Sequence, residues 1–227
     1  MVRTNLSIKS IKKQNGLSLV ELMVALALSL VVMFVTTGMY VSNKQTYRFL
    51  DQYSLLQENG RFAIFFLREN ILQAGFPREF VDPFPNVPAN DSTVIVQFSS
   101  TSTVDCANDP AVGIRESIFT ITGQELTCNG ETLVEGIEQM RVMYGEDLSG
   151  DFIANTYVAA GDVTDWSNVV SVRIALLAAG QPNSLDVAQS ITYNLLGQAV
   201  TTADRTPRRV FTTTIPLRNR NKTIMGS

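Results

Sequence analysis

Residues 17–41 form an apolar run of 25 residues in which the single charged side chain is Glu21. As a helix rising ~1.5 Å per residue, the run reaches roughly 37 Å, more than the ~30 Å hydrocarbon core of a bilayer. Ahead of it stand Arg3, Lys9, Lys12 and Lys13 with no acidic residue, and Gly16 closes this basic leader. Such a charge bias holds the leader on the cytoplasmic face and places whatever follows the apolar run on the other side of the membrane.

Glu21 is the informative residue. A carboxylate within hydrocarbon costs about 2.5 kcal/mol or more, so it needs a partner. In a plain anchor, Glu21 would lie near the interface and reach into the headgroups. Alternatively it waits for a cation from a neighbouring subunit, the reading favoured by the preceding Gly16 and by the usual functional role of ionisable groups in membrane spans. A cleavable secretory signal is the main competitor, because Ala25-Leu26-Ala27 has the A-x-A form. A cut there would leave an apolar core of about eight residues interrupted by Glu21, with apolar sequence continuing beyond it, which fits poorly. A simple signal anchor has the same hydropathy and stays open on that ground.

The 227-residue chain is 45% hydrophobic and 17% charged, as suits one membrane segment followed by one globular domain. Its net charge is −3, and without the four basic leader residues it becomes −7. With no basic domain to grip phosphates, nucleic-acid binding is set aside. The chain has no histidine, which excludes Ser-His-Asp and Cys-His catalysis and His-ligated metal sites. No convergent carboxylate, lysine or tyrosine motif stands out, so no catalytic residue, metal ligand or cofactor is assigned and the chain is read as a non-enzyme. The two cysteines, Cys106 and Cys128, fall in the exported part, where disulfides persist. A bridge between them is expected, stabilising by about 3 kcal/mol in the chain-entropy view; two free thiols are the alternative.

The helix is expected to run on past the membrane. Residues 43–75 lack proline, and Leu55, Phe62, Phe65, Phe66 and Leu72 recur at helical spacings, which reads as an apolar face packed on a sheet. Gly75 is the expected C-terminal cap before Phe76-Pro77, so one helix is predicted from about Leu17 to Ala74. Pro77, Pro83, Pro85 and Pro88 mark residues 76–92 as a loop. Residues 93–98, 117–122, 137–144, 169–177, 190–195 and 209–217 read as strands, and no second long helix is evident. The fold class is α+β: a long N-terminal helix, membrane-spanning in its first half, packed on a mostly antiparallel β-sheet.

The order Gly16-Leu17-Ser18-Leu19-Val20-Glu21-Leu22-Met23-Val24 resembles the class III signal of type IV pilins and type II secretion pseudopilins. Leu17 stands where phenylalanine is usual, and the leader is long for a major pilin; minor pilins tolerate both. Gly38 lies about where many major pilins carry a helix-breaking proline. Further segments resemble the PilW family of minor pilins: Glu58-Asn59-Gly60-Arg61-Phe62, the stretches 136–147 and 165–177, and Arg209-Val210-Phe211 through Asn219. The resemblance implies a pilin-like fold divided into a leader at 1–16, a transmembrane half-helix at 17–41, an amphipathic half-helix at 42–75 and a periplasmic β-rich domain at 76–227. It implies cleavage by a prepilin peptidase between Gly16 and Leu17, methylation of the new N-terminus, and an assembly role for Glu21 against the freed amine of an adjacent subunit. The implied protein sits in the inner membrane with a single pass, its C-terminal domain in the periplasm, and later enters the pilus fibre at the cell surface. Its implied partners are other minor pilins and the major pilin, with a large tip adhesin as a further candidate, and its role is in priming assembly at the fibre tip. A J-type pseudopilin of type II secretion is the nearest alternative, and a signal-anchored periplasmic enzyme or binding protein is the alternative from another class.

Three later features have structural readings. Trp166 is expected to plug the edge of the core. Arg173, inside a strand, is expected to face solvent or pair with an acid. The acidic segment 146–151 could gather oxygen ligands for calcium but lacks EF-hand spacing, and a solvated turn is favoured.

Overall fold

The computed structural model describes residues 16, 18–76, 83–84, 90–100, 106 and 113–219. The leader up to residue 15, Leu17, and Pro77, Pro85 and Pro88 of the expected loop lie outside the described residues. The chain divides into two compact units, residues 1–48 and 49–227. Helix α1, Leu19–Gln73, contributes to both.

In the first unit α1 stands without tertiary cover: every described residue from 18 to 48 is exposed. The segment is long and apolar enough to cross a membrane. Four of its hydroxyls donate within the helix. Ser29 donates to the carbonyl of Leu26, Thr36 to Val32, Thr37 to Met33 and Thr46 to Ser42, at 2.7–3.0 Å. This matters in hydrocarbon, where no water can take an orphaned donor. Helical assignment continues through Gly38, whose missing side chain would meet nothing within 4 Å.

In the second unit α1 buries Leu56, Gly60, Ala63, Leu67 and Ile71. These recur every three to four residues and form one face. It is not the face the aromatic spacing suggested: Leu55, Phe62 and Phe65 are 47%, 47% and 56% exposed, while Phe66 and Leu72 are half-buried. Two small residues, Gly60 and Ala63, sit within the buried face. A Cβ on Gly60 would run into the ring of Phe211, so the glycine is what lets that ring lie against the helix. Asn59 Nδ2 donates to the carbonyl of Glu135 at 3.1 Å, adding a polar fastening beside it. The helix ends at Gln73, followed by Gly75 at φ +75°, a left-handed cap suited to glycine. Asn219 Nδ2 donates to the carbonyl of Leu72 at 3.1 Å, satisfying one of the terminal acceptors.

Among the described residues ten strands follow: β1 (Thr93–Ser100), β2 (Gly113–Thr122), β3 (Glu125–Cys128), β4 (Glu131–Glu135), β5 (Ile137–Glu146), β6 (Thr156–Val158), β7 (Val169–Ala179), β8 (Gln189–Leu195), β9 (Gln198–Asp204) and β10 (Arg208–Pro216). They form a β1-β2-β3-β4 sheet, a β10-β7-β5-β6 sheet and a β8-β9 hairpin. Every pairing is antiparallel. The architecture is α+β, with two short 3₁₀ turns at Ala160–Asp162 and Trp166–Asn168 the only other helical elements among the described residues.

All six expected strands form; β3, β4, β6 and β9 were not expected. β3, β4 and β6 are at most five residues long, and tight turns organise β3, β4 and β9. Gly123 has φ +67°, Asn129-Gly130 have +50° and +88°, and Leu196-Gly197 have +51° and +91°. The Asn-Gly pair is a strong hairpin signal that composition alone conceals.

The core joins the helix to both sheets: Leu56, Ala63, Leu67 and Ile71 share one cluster with Val94, Val96, Phe119, Leu126, Val142, Ile174 and Leu176. β7 is buried almost throughout. Its Val172, Ile174, Leu176 and Ala178 join the helix-side core, while Ala175 and Leu177 on its other face pack with Leu195, Tyr193 and Val200 of the hairpin. A strand covered on both faces reads as a continuous apolar run. Cys106 and Cys128 are bonded, with Cα atoms 6.1 Å apart, and Cys128 is fully buried in β3. Trp166 packs its ring against Tyr144 and Phe84, with centroids 4.7 and 5.5 Å away.

Candidate processing and assembly site

Gly16 is exposed, and a Cβ placed on it would meet nothing within 4 Å. The backbone there is therefore open to close approach. Leu17, the other expected processing residue, lies outside the described residues. Ser18 Oγ accepts the backbone N–H of Glu21 at 3.2 Å, and the carbonyl of Ser18 accepts the N–H of Leu22 at 3.1 Å. Ser18 is thus the N-cap and Glu21 the third residue of α1.

This gives Glu21 a local role that hydropathy reading missed. Ser18-Leu19-Val20-Glu21 has the S-x-x-E form of a capping box. An acid in the first turn also complements the positive end of the helix dipole, typically by 0.3–1 kcal/mol. Its carboxylate is exposed and makes no ion pair among the described residues. The site is an accessible glycine five residues ahead of an unpaired carboxylate, at the entrance to an uncovered apolar helix. It can present a backbone to a peptidase and offer a negative charge to a neighbouring cation. It contains no nucleophile–base pair.

The acidic segment is exposed at residues 148–151, as expected of a solvated turn, but differs at its first two residues. Glu146 and Asp147 are both 2% exposed, so they are not a solvated turn. Asp147 accepts backbone N–H groups of Ser149, Gly150 and Phe152 at 2.6–3.0 Å. Glu146 Oε1 accepts the N–H and hydroxyl of Thr164 at 3.0 and 2.7 Å. Hydrogen bonds to backbone donors are what allow a carboxylate to be buried. They hold the loop, including Phe152 at φ +64°. No group of three or more metal-ligating side chains occurs among the described residues.

Two further polar constellations are structural. Arg208 donates to Glu138 at 2.6 and 2.9 Å and to Asp204 at 2.7 Å, joining β5, β9 and β10. The Arg208 hydrogen bonds hold the Asp204 carboxyl well below the usual carboxylate range. Arg173 is half-buried and makes no ion pair with an acid among the described residues. Its guanidinium lies 3.6 Å over the Tyr157 ring and its Nε donates to Thr214 Oγ1 at 3.2 Å. A flat cation stacks on an aromatic face by attraction to the ring quadrupole. The Tyr144 hydroxyl is buried, and burial first and the nearby Asp91 second push it far above the normal phenol range. It is a packed ring, not a proton donor at neutral pH.

Comparison with known proteins gives two family matches. The chain matches the prokaryotic N-terminal methylation motif over residues 11–37, a span containing Gly16 and Glu21. It matches the Type IV Pilus-assembly protein W family over residues 100–219. No curated protein matches the chain. Among solved structures, a type IV-like pilin from Thermus thermophilus is 15% identical with a TM-score of 0.45, covering 77% of this chain and 98% of that one. With more than half of its residues matched and an N-terminal methylation motif ahead of them, the chain belongs to the PilW family of type IV pilus-assembly proteins.

Proposed function

We propose that this protein is a minor pilin: a structural subunit that waits in the inner membrane with its β-rich domain in the periplasm, then primes and tips a type IV pilus fibre. The observation that carries this reading is the exposed, unpaired Glu21 in the first turn of an uncovered apolar helix, directly after an accessible glycine. In this reading a prepilin peptidase cuts between Gly16 and Leu17 and the new amine is methylated. Side-by-side packing of subunits then covers the apolar half of α1, so leaving the bilayer costs little hydrophobic stabilisation. Glu21 meets the cationic N-terminus of an adjacent subunit. A register error leaves that charge buried and unpaired, a penalty of about 3–5 kcal/mol.

The protein needs no catalytic group for this work. Other minor pilins and the major pilin are the partners proposed, with a tip adhesin as a further one. Mass spectrometry of the membrane-extracted protein tests the first step. A mature chain starting at methylated Leu17 is expected. An intact leader, or a chain starting at Ser29 after a cut beyond Ala27, sinks the reading. Gly16→Ala should leave most of the protein uncut, because the added methyl hinders close backbone approach.

A further inference from the structure

Arg141, Arg173 and Arg208 share the outer face of the β10-β7-β5-β6 sheet, the face turned away from the helix-side core. The strand register puts them there: Arg173 lies opposite Met143 and Thr214, Arg141 opposite Ala175, and Arg208 opposite Ala179. The β8-β9 hairpin covers part of this face, packing on Ala175, Leu177 and Val210. Two of these arginines are compensated. Arg208 is held by Glu138 and Asp204. Arg141 donates to Gln198 at 3.2 Å and lies 3.9 Å from Asp91. Arg173 has no acid. Its Nε is spent on Thr214, and neither terminal nitrogen has a hydrogen-bond partner among the described residues. Yet its guanidinium is fixed in place, 3.6 Å from the centre of the Tyr157 ring. Ser171 Oγ donates to the Tyr157 oxygen at 3.1 Å, and a Cβ on Gly145 would run into the ring, so the glycine leaves the room it occupies. A half-buried cation that is held rigid and left uncompensated calls for an anion.

We propose that Arg173 anchors a binding site for the carboxylate of an acidic sugar. With Nε engaged, the open edge of the guanidinium is its pair of terminal nitrogens, parallel donors that match the two oxygens of one carboxylate. Thr214 accepts from Nε, so its own hydroxyl hydrogen is left to donate to a ligand oxygen. Thr212, next along the same face, is exposed and adds a second hydroxyl. A protein partner would call for apolar or aromatic anchors at the centre of the contact. Here Met143 and Tyr157 are half-buried, and the exposed neighbours are Thr212 and Thr214. Hydroxyls beside a carboxylate fork suit a uronate. The face is open, so one sugar binds weakly and a run of several adds affinity. The inference rests on this face alone and not on the minor-pilin reading.

The test titrates the full-length protein in detergent micelles and follows the backbone amide resonances of Thr212 and Thr214 by NMR. The probes are a galacturonate trimer, acetate as a free carboxylate, and maltotriose as a neutral sugar. The trimer should shift these resonances saturably, and added salt should weaken the response. Acetate should need about tenfold more ligand for the same effect, and maltotriose should give none. Arg173→Lys keeps the charge but loses the fork, so affinity for the trimer should fall about tenfold. Thr212→Val should weaken the trimer about threefold and leave acetate unchanged. An unchanged Cys106–Cys128 bridge and unfolding midpoint check the fold. Were Arg173→Lys to unfold, the exposed Thr212 still decides the matter. No shift with the trimer, an equal response to maltotriose, equal affinity for acetate and trimer, or a folded Arg173→Lys that binds as wild type overturns the proposal.

Discussion

The same helix meets two different solvents. In residues 19–48 every residue is exposed, and large apolar side chains such as Leu22, Val31 and Phe34 are 53%, 61% and 82% exposed. In residues 49–73 one face, Leu56, Gly60, Ala63, Leu67 and Ile71, is buried while Leu55, Phe62 and Phe65 stay outside. Apolar content alone does not separate these halves. What separates them is where glycine and alanine fall. Gly60 and Ala63 are covered and set a close approach to the sheet, whereas Gly38 touches nothing. The first half is stable as a helix because its backbone and hydroxyls satisfy one another. The second is stable because it is the wall of a core.

The largest expected effect falls on the half that lacks tertiary contacts. Glu21→Ala is expected to abolish or strongly slow fibre assembly while leaving membrane retention and the β-rich domain unchanged. Because Glu21 also sits in a capping box, Glu21→Gln sharpens the test. Glutamine keeps the capping geometry and loses the charge. If charge pairing between subunits is the role, both variants fail to assemble; if capping is the role, the glutamine variant assembles. Electron microscopy of surface fibres and co-purification with other subunits read the outcome in cells lacking the wild-type copy.

Next in size is the bridge that belongs to the second unit alone. Replacing Cys106 and Cys128 together by alanine should lower that unit's stability by about 3 kcal/mol. Denaturant unfolding followed by near-UV circular dichroism measures this. Helicity of the apolar half in detergent should not change, and a parallel loss there would break the separation between the two regions.

Gly60→Ala follows. A Cβ there collides with the Phe211 ring, and overpacking of this kind costs about 1–3 kcal/mol. Pairing the substitution with Phe211→Leu should recover part of the loss, because the obstruction is that ring. If Gly60→Ala were neutral, the tight face would not be what distinguishes the second half.

Acid should act on the second unit through Asp204. Its folded-state pKa is depressed, chiefly by hydrogen bonds from Arg208. The sign follows: its contribution is present above the unfolded carboxylate value of about 3.9 and is lost as pH falls below it towards the folded value. Asp204→Asn should flatten the fall in stability below about pH 4. An unchanged acid limb would mean that other carboxylates set it.

Much of this molecule is legible from sequence because its strongest patterns are local. The apolar run, the helix cap at Gly75 and strands such as β5 and β7 follow from composition and periodicity. The helix's buried face was not legible, since the aromatic residues dominate the periodicity while Leu56, Gly60, Ala63, Leu67 and Ile71 make the contact. Asp147 was misjudged for a related reason. A carboxylate in a Ser-Gly-Asp segment looks solvated until the fold turns three backbone N–H groups onto it. At the candidate site, Gly16 and Glu21 stood out by spacing from the start. The Ser18 cap is equally legible in the S-x-x-E spacing of Ser18 and Glu21.

The smallest expected effect closes the comparison. Gly38→Ala places a methyl where nothing lies within 4 Å, so no tertiary clash arises. Alanine favours an exposed helix over glycine by up to ~1 kcal/mol. Helicity around residue 38 should therefore rise slightly, seen as slower amide exchange at residues 36–42 in detergent micelles, while the unfolding of the second unit stays where it was. The paired results then carry the argument. The same glycine-to-alanine change should tighten the helix at 38 and loosen the protein at 60. If both substitutions stabilised, the ring of Phe211 would have room that its position against Gly60 does not provide. If both destabilised, residue 38 would be packed against something in the cell. In that case a Gly38→Ala subunit should fail in assembly while remaining processed and membrane-bound, which places the contact in the fibre and not in the monomer.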